Sequence, residues 1–163
     1  MHFDTLDYAA FTVVGIATRT AGDPPAEIGR LWKRLFDEGV LQRIPNKASS
    51  DLYSLYTEYQ GDHTQPYSVV LGCAVTHVDE LPHGLVAKAV PAATNARLTG
   101  IPARPDAIGP AWQQVHQAGL PRSFIADFDL HHAAGGAHEG FVDIYVGVKT
   151  PPETPGADGP AIV

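Results

Sequence analysis

The chain has 163 residues, 44% hydrophobic and 18% charged, which is one domain's length with enough apolar material for a buried core. Eighteen acidic side chains against 11 basic ones give a formal net charge of -7, a balance that excludes the basic stripe with which a nucleic-acid binder tracks phosphates. No apolar run approaches the ~20 residues of a membrane span, no leader peptide is expected, and the single cysteine, Cys73, rules out an intramolecular disulfide or a CxxC site. A cytoplasmic, single-domain protein is the expectation.

A short lead-in precedes the first strand, Phe11 to Ala17. Asp23, followed by Pro24, has the chemistry of a helix N-cap with proline at the first helical position. From Glu27 onward, Ile28, Leu31, Trp32, Leu35, Phe36 and Val40 recur at helical spacing, with Arg30, Lys33, Arg34, Asp37 and Glu38 on the wet side. Two runs rich in Tyr, Val and Leu, Leu52 to Tyr59 and Tyr67 to Val75, flank the turn-like Gly61 to Pro66 and predict a hairpin. Leu85 to Leu98 is strand material interrupted by Pro91. Asp106 is a second candidate N-cap, for a shorter helix carrying Ile108, Ala111, Trp112 and Val115 that stops near Gly119. Two more strands follow, Ser123 to His131 and Phe141 to Lys149. The tail from Thr150, with its four prolines, is expected as a flexible end.

The two halves superpose as strings. Ile28-Gly29-x-x-Trp32-x-x-Leu35 matches Ile108-Gly109-x-x-Trp112-x-x-Val115, 80 residues on, and both halves run strand, helix, strand, strand. An α+β fold follows: a β-α-β-β unit present twice, over about residues 8–78 and 85–149, with a ligand cleft along the pseudo-twofold axis.

Several polar residues compete for that cleft. In the last strand Val142, Ile144, Val146 and Val148 alternate with Asp143, Tyr145 and Gly147, so a carboxylate and a phenol share one face. In the preceding strand Asp127, Asp129 and His131 form the polar set, and strand pairing would place them beside Asp143 and Tyr145. Alternation puts Tyr56 and Glu58 on one face, with Tyr53 and Tyr59 on the other. An aromatic wall beside carboxylates suits a lipophilic cation, although solvated strand faces and helix packing by Trp32 and Trp112 account for the same residues. His131, His132 and His138 lie close in sequence but do not converge as metal ligands need to, so no metal is expected. Phosphate-loop, dinucleotide and Gly-x-Ser-x-Gly signatures are absent, and no cofactor is expected.

The strings Leu52 to Tyr59 and Tyr67 to Val75 resemble the GyrI-like effector-binding superfamily. Asp127-Phe128-Asp129 and Val142 to Val146 resemble the stand-alone integron-cassette branch of it. The resemblance runs from about Phe11 to Lys149. It implies a curved antiparallel sheet with two main helices and a central cleft that binds small molecules, in bacterial drug-sensing regulators or free-standing multidrug binders. The carboxylate expected in that cleft is usually Glu; here Asp129 and Asp143 stand at the matching positions, His131 replaces a usual Tyr, and Gly147 replaces a Pro. Tyr56, Glu58, Trp112, Asp129, Asp143 and Tyr145 are the expected ligand residues, holding a hydrophobic, cationic compound. Transcriptional regulation would require a separate protein partner. The alternative is a hydrolase opening strained, cyclopropane-type electrophiles, with Asp129, Asp143 and Tyr145 as its chemical groups.

Overall fold

The structure, a computed structural model, describes residues 2–150. The expected flexible tail therefore lies, from Pro151 on, outside the described residues. Eight strands and three helices follow one another as β1 (Asp4–Tyr8), β2 (Phe11–Arg19), α1 (Pro24–Asp37), α2 (Val40–Arg43), β3 (Leu52–Thr57), β4 (Ser68–Val75), β5 (Val86–Val90), β6 (Ala93–Pro102), α3 (Pro105–Gln117), β7 (Arg122–His131) and β8 (Phe141–Val148). All strands join one antiparallel sheet in the order β1-β6-β8-β7-β3-β4-β2-β5. The two expected units, β2-α1-β3-β4 and β6-α3-β7-β8, meet at the β3–β7 pair in the middle of that order.

Two departures from the sequence reading carry information. The lead-in is a strand, β1, and Leu85 to Leu98 is two strands separated at Pro91-Ala92. Each extra strand pairs with the other half: β1 with β6, and β5 with β2. The linkers, Ala9-Ala10 and Pro91-Ala92, reach at most about 11 Å, whereas six strand spacings of a flat sheet measure about 29 Å. The sheet must therefore curl until its ends approach, and it does. Tyr8 of edge strand β1 packs at 5.2 Å from Phe128 and 5.3 Å from Phe11, and its hydroxyl lies 3.1 Å from that of Tyr53. These rings join Leu55, Val70, Leu130 and Tyr145 in a core on the concave face.

The backbones approach closely at Gly15 and Gly72, which are paired across β2 and β4. A Cβ on Gly72 would lie 1.9 Å from the Val14 carbonyl oxygen, and one on Gly15 would lie 1.9 Å from that of Leu71. Close approach of this kind is where strand glycine is required. Gly72→Ala is expected to cost about 1–3 kcal/mol, read as a lower urea midpoint with an unchanged slope; an unchanged midpoint would refute the packing argument.

Both long helices lie on the convex face. Asp23 caps α1 as expected, accepting from the Ala26 amide at 3.4 Å, while the Glu27 carboxylate reaches back to the amides of Asp23 and Ala21. Leu31 and Leu35 are buried against β2 and β4, but Phe36 is 64% exposed and Val40 belongs to α2 beyond the left-handed Gly39. The expected stripe thus ends one turn early. At α3 the cap is Arg104, with no side-chain bond; Asp106 sits inside the first turn, where it meets the helix dipole and pairs with Arg104 at 2.8 Å. Ala111 and Val115 bury the α3 face against Leu98, Ile144 and Val146.

Candidate functional site

The convex face of the β3–β7 junction lies between the two helices. Proline-started α1 contributes Pro24, Pro25 and Ile28, α3 contributes Trp112 and His116, and the β3–β4 hairpin contributes Tyr56, Tyr59, His63 and Tyr67; together with Arg122 they line a cavity of about 300 Å³. Four of these side chains are large aromatics. Tyr56 meets Trp112 edge-on at 5.4 Å and Tyr67 at 6.1 Å, and Tyr59 lies 5.4 Å from Tyr67. His63 and His116 stack in parallel at 3.7 Å.

Two buried carboxylates stand directly behind this lining. Asp129, 2% exposed, accepts from the Tyr56 hydroxyl and from Trp112 Nε1, both at 2.8 Å. Asp127, with no exposed surface, accepts from the Tyr59 hydroxyl at 2.5 Å, from the Gly147 amide at 2.8 Å and from Arg122 Nη2 at 2.7 Å. Arg122 lies on the same strand, five residues away. It reaches Asp127 because β7 bulges between them, with Phe124 at φ 54°. Asp127 thus has a cationic partner, and among the described residues Asp129 has none.

The difference shows in the protonation of Asp129. Burial pushes its carboxyl up to about 7, against the opposing pull of the Tyr56 and Trp112 donors, with Asp127 adding to the rise. The Tyr56 and Tyr59 hydroxyls are held well above the usual phenol range, first by burial and then by the carboxylates they touch. Burial, His63 and Arg122 lower His116 to about 4. Its Nδ1 lies 3.1 Å from Arg122 Nη1 and, facing a donor-only group, is the acceptor. The cavity therefore presents neutral imidazole and aromatic faces, with one uncompensated carboxylate behind them.

Of the expected ligand residues, the fold brings together Tyr56, Trp112 and Asp129. It does not bring Asp143, Tyr145 or Glu58 to them. Asp129 pairs with Ile144, whereas Asp143 pairs with Leu130, so the two aspartates project from opposite faces of the sheet. The expected dense acidic surface does not form. Asp143 instead binds His132 Nε2 at 2.7 Å and the Gly100 amide at 3.2 Å, and Tyr145 stacks on Phe128 at 4.6 Å within the concave core. Glu58 leaves the strand with φ 54°, so alternation breaks there; its carboxylate accepts from Ser68 at 2.7 Å and from Lys88 at 3.0 Å. That same break returns Tyr59 to the convex face beside Tyr56, where strict alternation would have separated them. Tyr59, His63, His116 and Arg122 also line the cavity, and spacing along the chain does not mark them as doing so. The turn-like Gly61 to Pro66 marks the hairpin connection in the sequence, but nothing there marks which face its residues cover. Among the described residues no cluster of three His, Cys, Asp or Glu side chains forms a metal site, and no helix is long and apolar enough to cross a membrane.

The fold is shared with solved structures of low sequence identity. A Vibrio cholerae integron cassette protein, VCH_CASS2, superposes with a TM-score of 0.71 at 22% identity, covering 90% of this chain and 95% of that one. SAV2435, solved bound to tetraphenylphosphonium, gives a TM-score of 0.72 at 17% identity over 91% and 94% of the two chains. A putative transcription regulation protein of Staphylococcus aureus MU50 gives 0.69 at 20% identity over 92% and 99%. No curated protein matches the chain. Residues 6–148 match the family model for integron-associated effector binding proteins, Cass2, and the chain belongs to that family.

Proposed function

We propose that this effector-binding protein holds a lipophilic monocation against the faces of Tyr56, Tyr59, Tyr67 and Trp112, with Asp129 as the counter-charge behind the rings. One observation carries the reading: an aromatic cavity backed by a buried carboxylate that has two hydrogen-bond donors and, among the described residues, no basic partner. Ring faces attract a desolvated cation, and donation by the Tyr56 hydroxyl and Trp112 N–H to an ionised Asp129 makes those rings more electron-rich. Because Arg122 already neutralises Asp127, the preferred ligand carries a single charge. The SAV2435 complex with tetraphenylphosphonium supports the same ligand class. Sequestering such compounds, as in drug resistance, or signalling their presence through a regulatory partner are the outputs this reading allows. Ring-opening hydrolysis would need a water on the carboxylate. Both Asp129 oxygens are engaged by Tyr56 and Trp112 instead, which favours binding.

The test is calorimetric titration with tetraphenylphosphonium and with neutral triphenylphosphine oxide at pH 6 and pH 8. A cation favours the ionised carboxylate, so affinity is fully present above the carboxyl's pKa of about 7 and falls as pH drops through it. The phosphonium is expected to bind about tenfold more tightly at pH 8 than at pH 6, and the oxide equally at both. Equal affinities for cation and oxide at pH 8 would refute the counter-charge.

A further inference from the structure

The pseudo-twofold axis passes between β3 and β7, where Ser54 pairs with Asp129. Two of the contacts that build the cavity therefore have counterparts across the axis. Trp112 meets Tyr56 edge-on at 5.4 Å; its repeat equivalent, Trp32, meets His131 edge-on at 5.1 Å. Trp112 also lies 5.8 Å from His116, one helical turn on, and Trp32 lies 6.1 Å from Phe36, one helical turn on and stacked. His116 lines the cavity. Phe36, its counterpart, is 64% exposed, the most exposed of the large hydrophobic side chains among the described residues, and it rests on a half-buried tryptophan. Among the described residues His131 Nε2 is buried without a hydrogen-bond partner, and burial together with His132 lowers this imidazole to about 4, so it carries no charge that would repel a cation near neutral pH.

We infer that the site has two lobes: an aromatic shelf of Trp32, Phe36 and His131 continues the cavity across the axis, and Asp129 serves both. The natural ligand is then a monocation with two aromatic arms, its charge over the axis and one arm on each helix. This rests on the proposed binding of cations in the cavity and names the shape they take. The shelf is open where the cavity is walled, because the segment following His131 brings no counterpart of the Tyr59 and Tyr67 rings. Its contribution therefore comes from stacking on exposed rings, and removing one of them leaves the core untouched.

The experiment uses the full chain labelled with 5-fluorotryptophan. Two tryptophans give two ¹⁹F resonances, assigned with Trp32→Phe. Benzyltrimethylammonium has one arm and dibenzyldimethylammonium has two, with the same charge. The two-armed ion is expected to move both resonances and the one-armed ion that of Trp112. Phe36→Ala is expected to weaken the two-armed ion by about three- to tenfold and the one-armed ion hardly at all. If the two-armed ion moves only the Trp112 resonance, or if Phe36→Ala leaves its affinity unchanged, the shelf is refuted while cation binding in the cavity stands. If neither ion moves either resonance, both readings fall.

Discussion

Asp129→Asn is expected to weaken cation binding by about tenfold or more at pH 8 and, in the same variant, to make the protein more stable there. The two effects share one cause. The folded-state pKa of Asp129, about 7, lies above the usual carboxylate value of about 3.9. Between those values the folded chain holds a proton that the unfolded chain has lost. The group's contribution is thus fully present below the unfolded value and is lost as pH rises through the folded one. For wild type this amounts to about 2–3 kcal/mol lost between pH 5 and pH 8. Asparagine has no charge to desolvate. Its carbonyl can accept from Trp112 Nε1, and the Tyr56 hydroxyl can turn to accept from its amide. Urea unfolding at pH 5 and 8 reads the stability, and titration with tetraphenylphosphonium reads the affinity. The variant should lose the pH dependence of both. A variant that binds the cation as tightly as wild type at pH 8 would show that the carboxylate is a packing group, and the counter-charge role would have to be given up.

Arg122→Met should have the larger effect on stability. Arg122 and Asp127 are both buried, and removing one partner of such a pair leaves an uncompensated charge, which costs about 3–5 kcal/mol. The Tyr59 hydroxyl and Gly147 amide remain on Asp127, so the loss should fall towards the lower end. Methionine keeps the packing over the Phe124 ring, from which the guanidinium carbon lies 4.3 Å. Adding Asp127→Asn should recover most of the loss, because the unpaired charge is then gone. A single variant destabilised by less than about 1 kcal/mol, or a double variant no better than the single, would contradict this account. In the proposed reading the same pair also limits the ligand to one charge, because with Asp127 neutralised by Arg122 only Asp129 is left to face a cation.

The helices were the most legible part of the chain, since their stripes and the Asp23 cap depend on local spacing and local hydrogen bonds. The repeat was legible too, because Ile28-Gly29 to Leu35 and Ile108-Gly109 to Val115 encode the same helix packing twice. The short edge strand Asp4–Tyr8 was not, for the strand it pairs with, β6, lies in the other half of the chain. The site was legible in residue type but not in assembly. Tyr56, Trp112 and Asp129 stood out as aromatic and acidic groups on regular elements, yet Asp143 and Tyr145 stood out equally.

What separated them is the register of β7 on β8. A strand's side chains alternate with a period of two, so alternation sorts each strand into two faces without saying which face of one strand joins which face of the next. A slip of one residue exchanges them. That choice is made by packing: Ile144 and Val146 must meet Ala111 and Val115 under α3, which turns Asp143 to the other side and leaves Asp129 between the helices. By itself the sequence determined an acidic, duplicated α+β chain with two capped or proline-started helices and a supply of aromatic and carboxylate groups. The tertiary structure decided which carboxylate lies behind the aromatic lining and which is paired with arginine. Burial and partnership, the two quantities that set a carboxylate's charge, depend on neighbours up to 73 residues away along the chain.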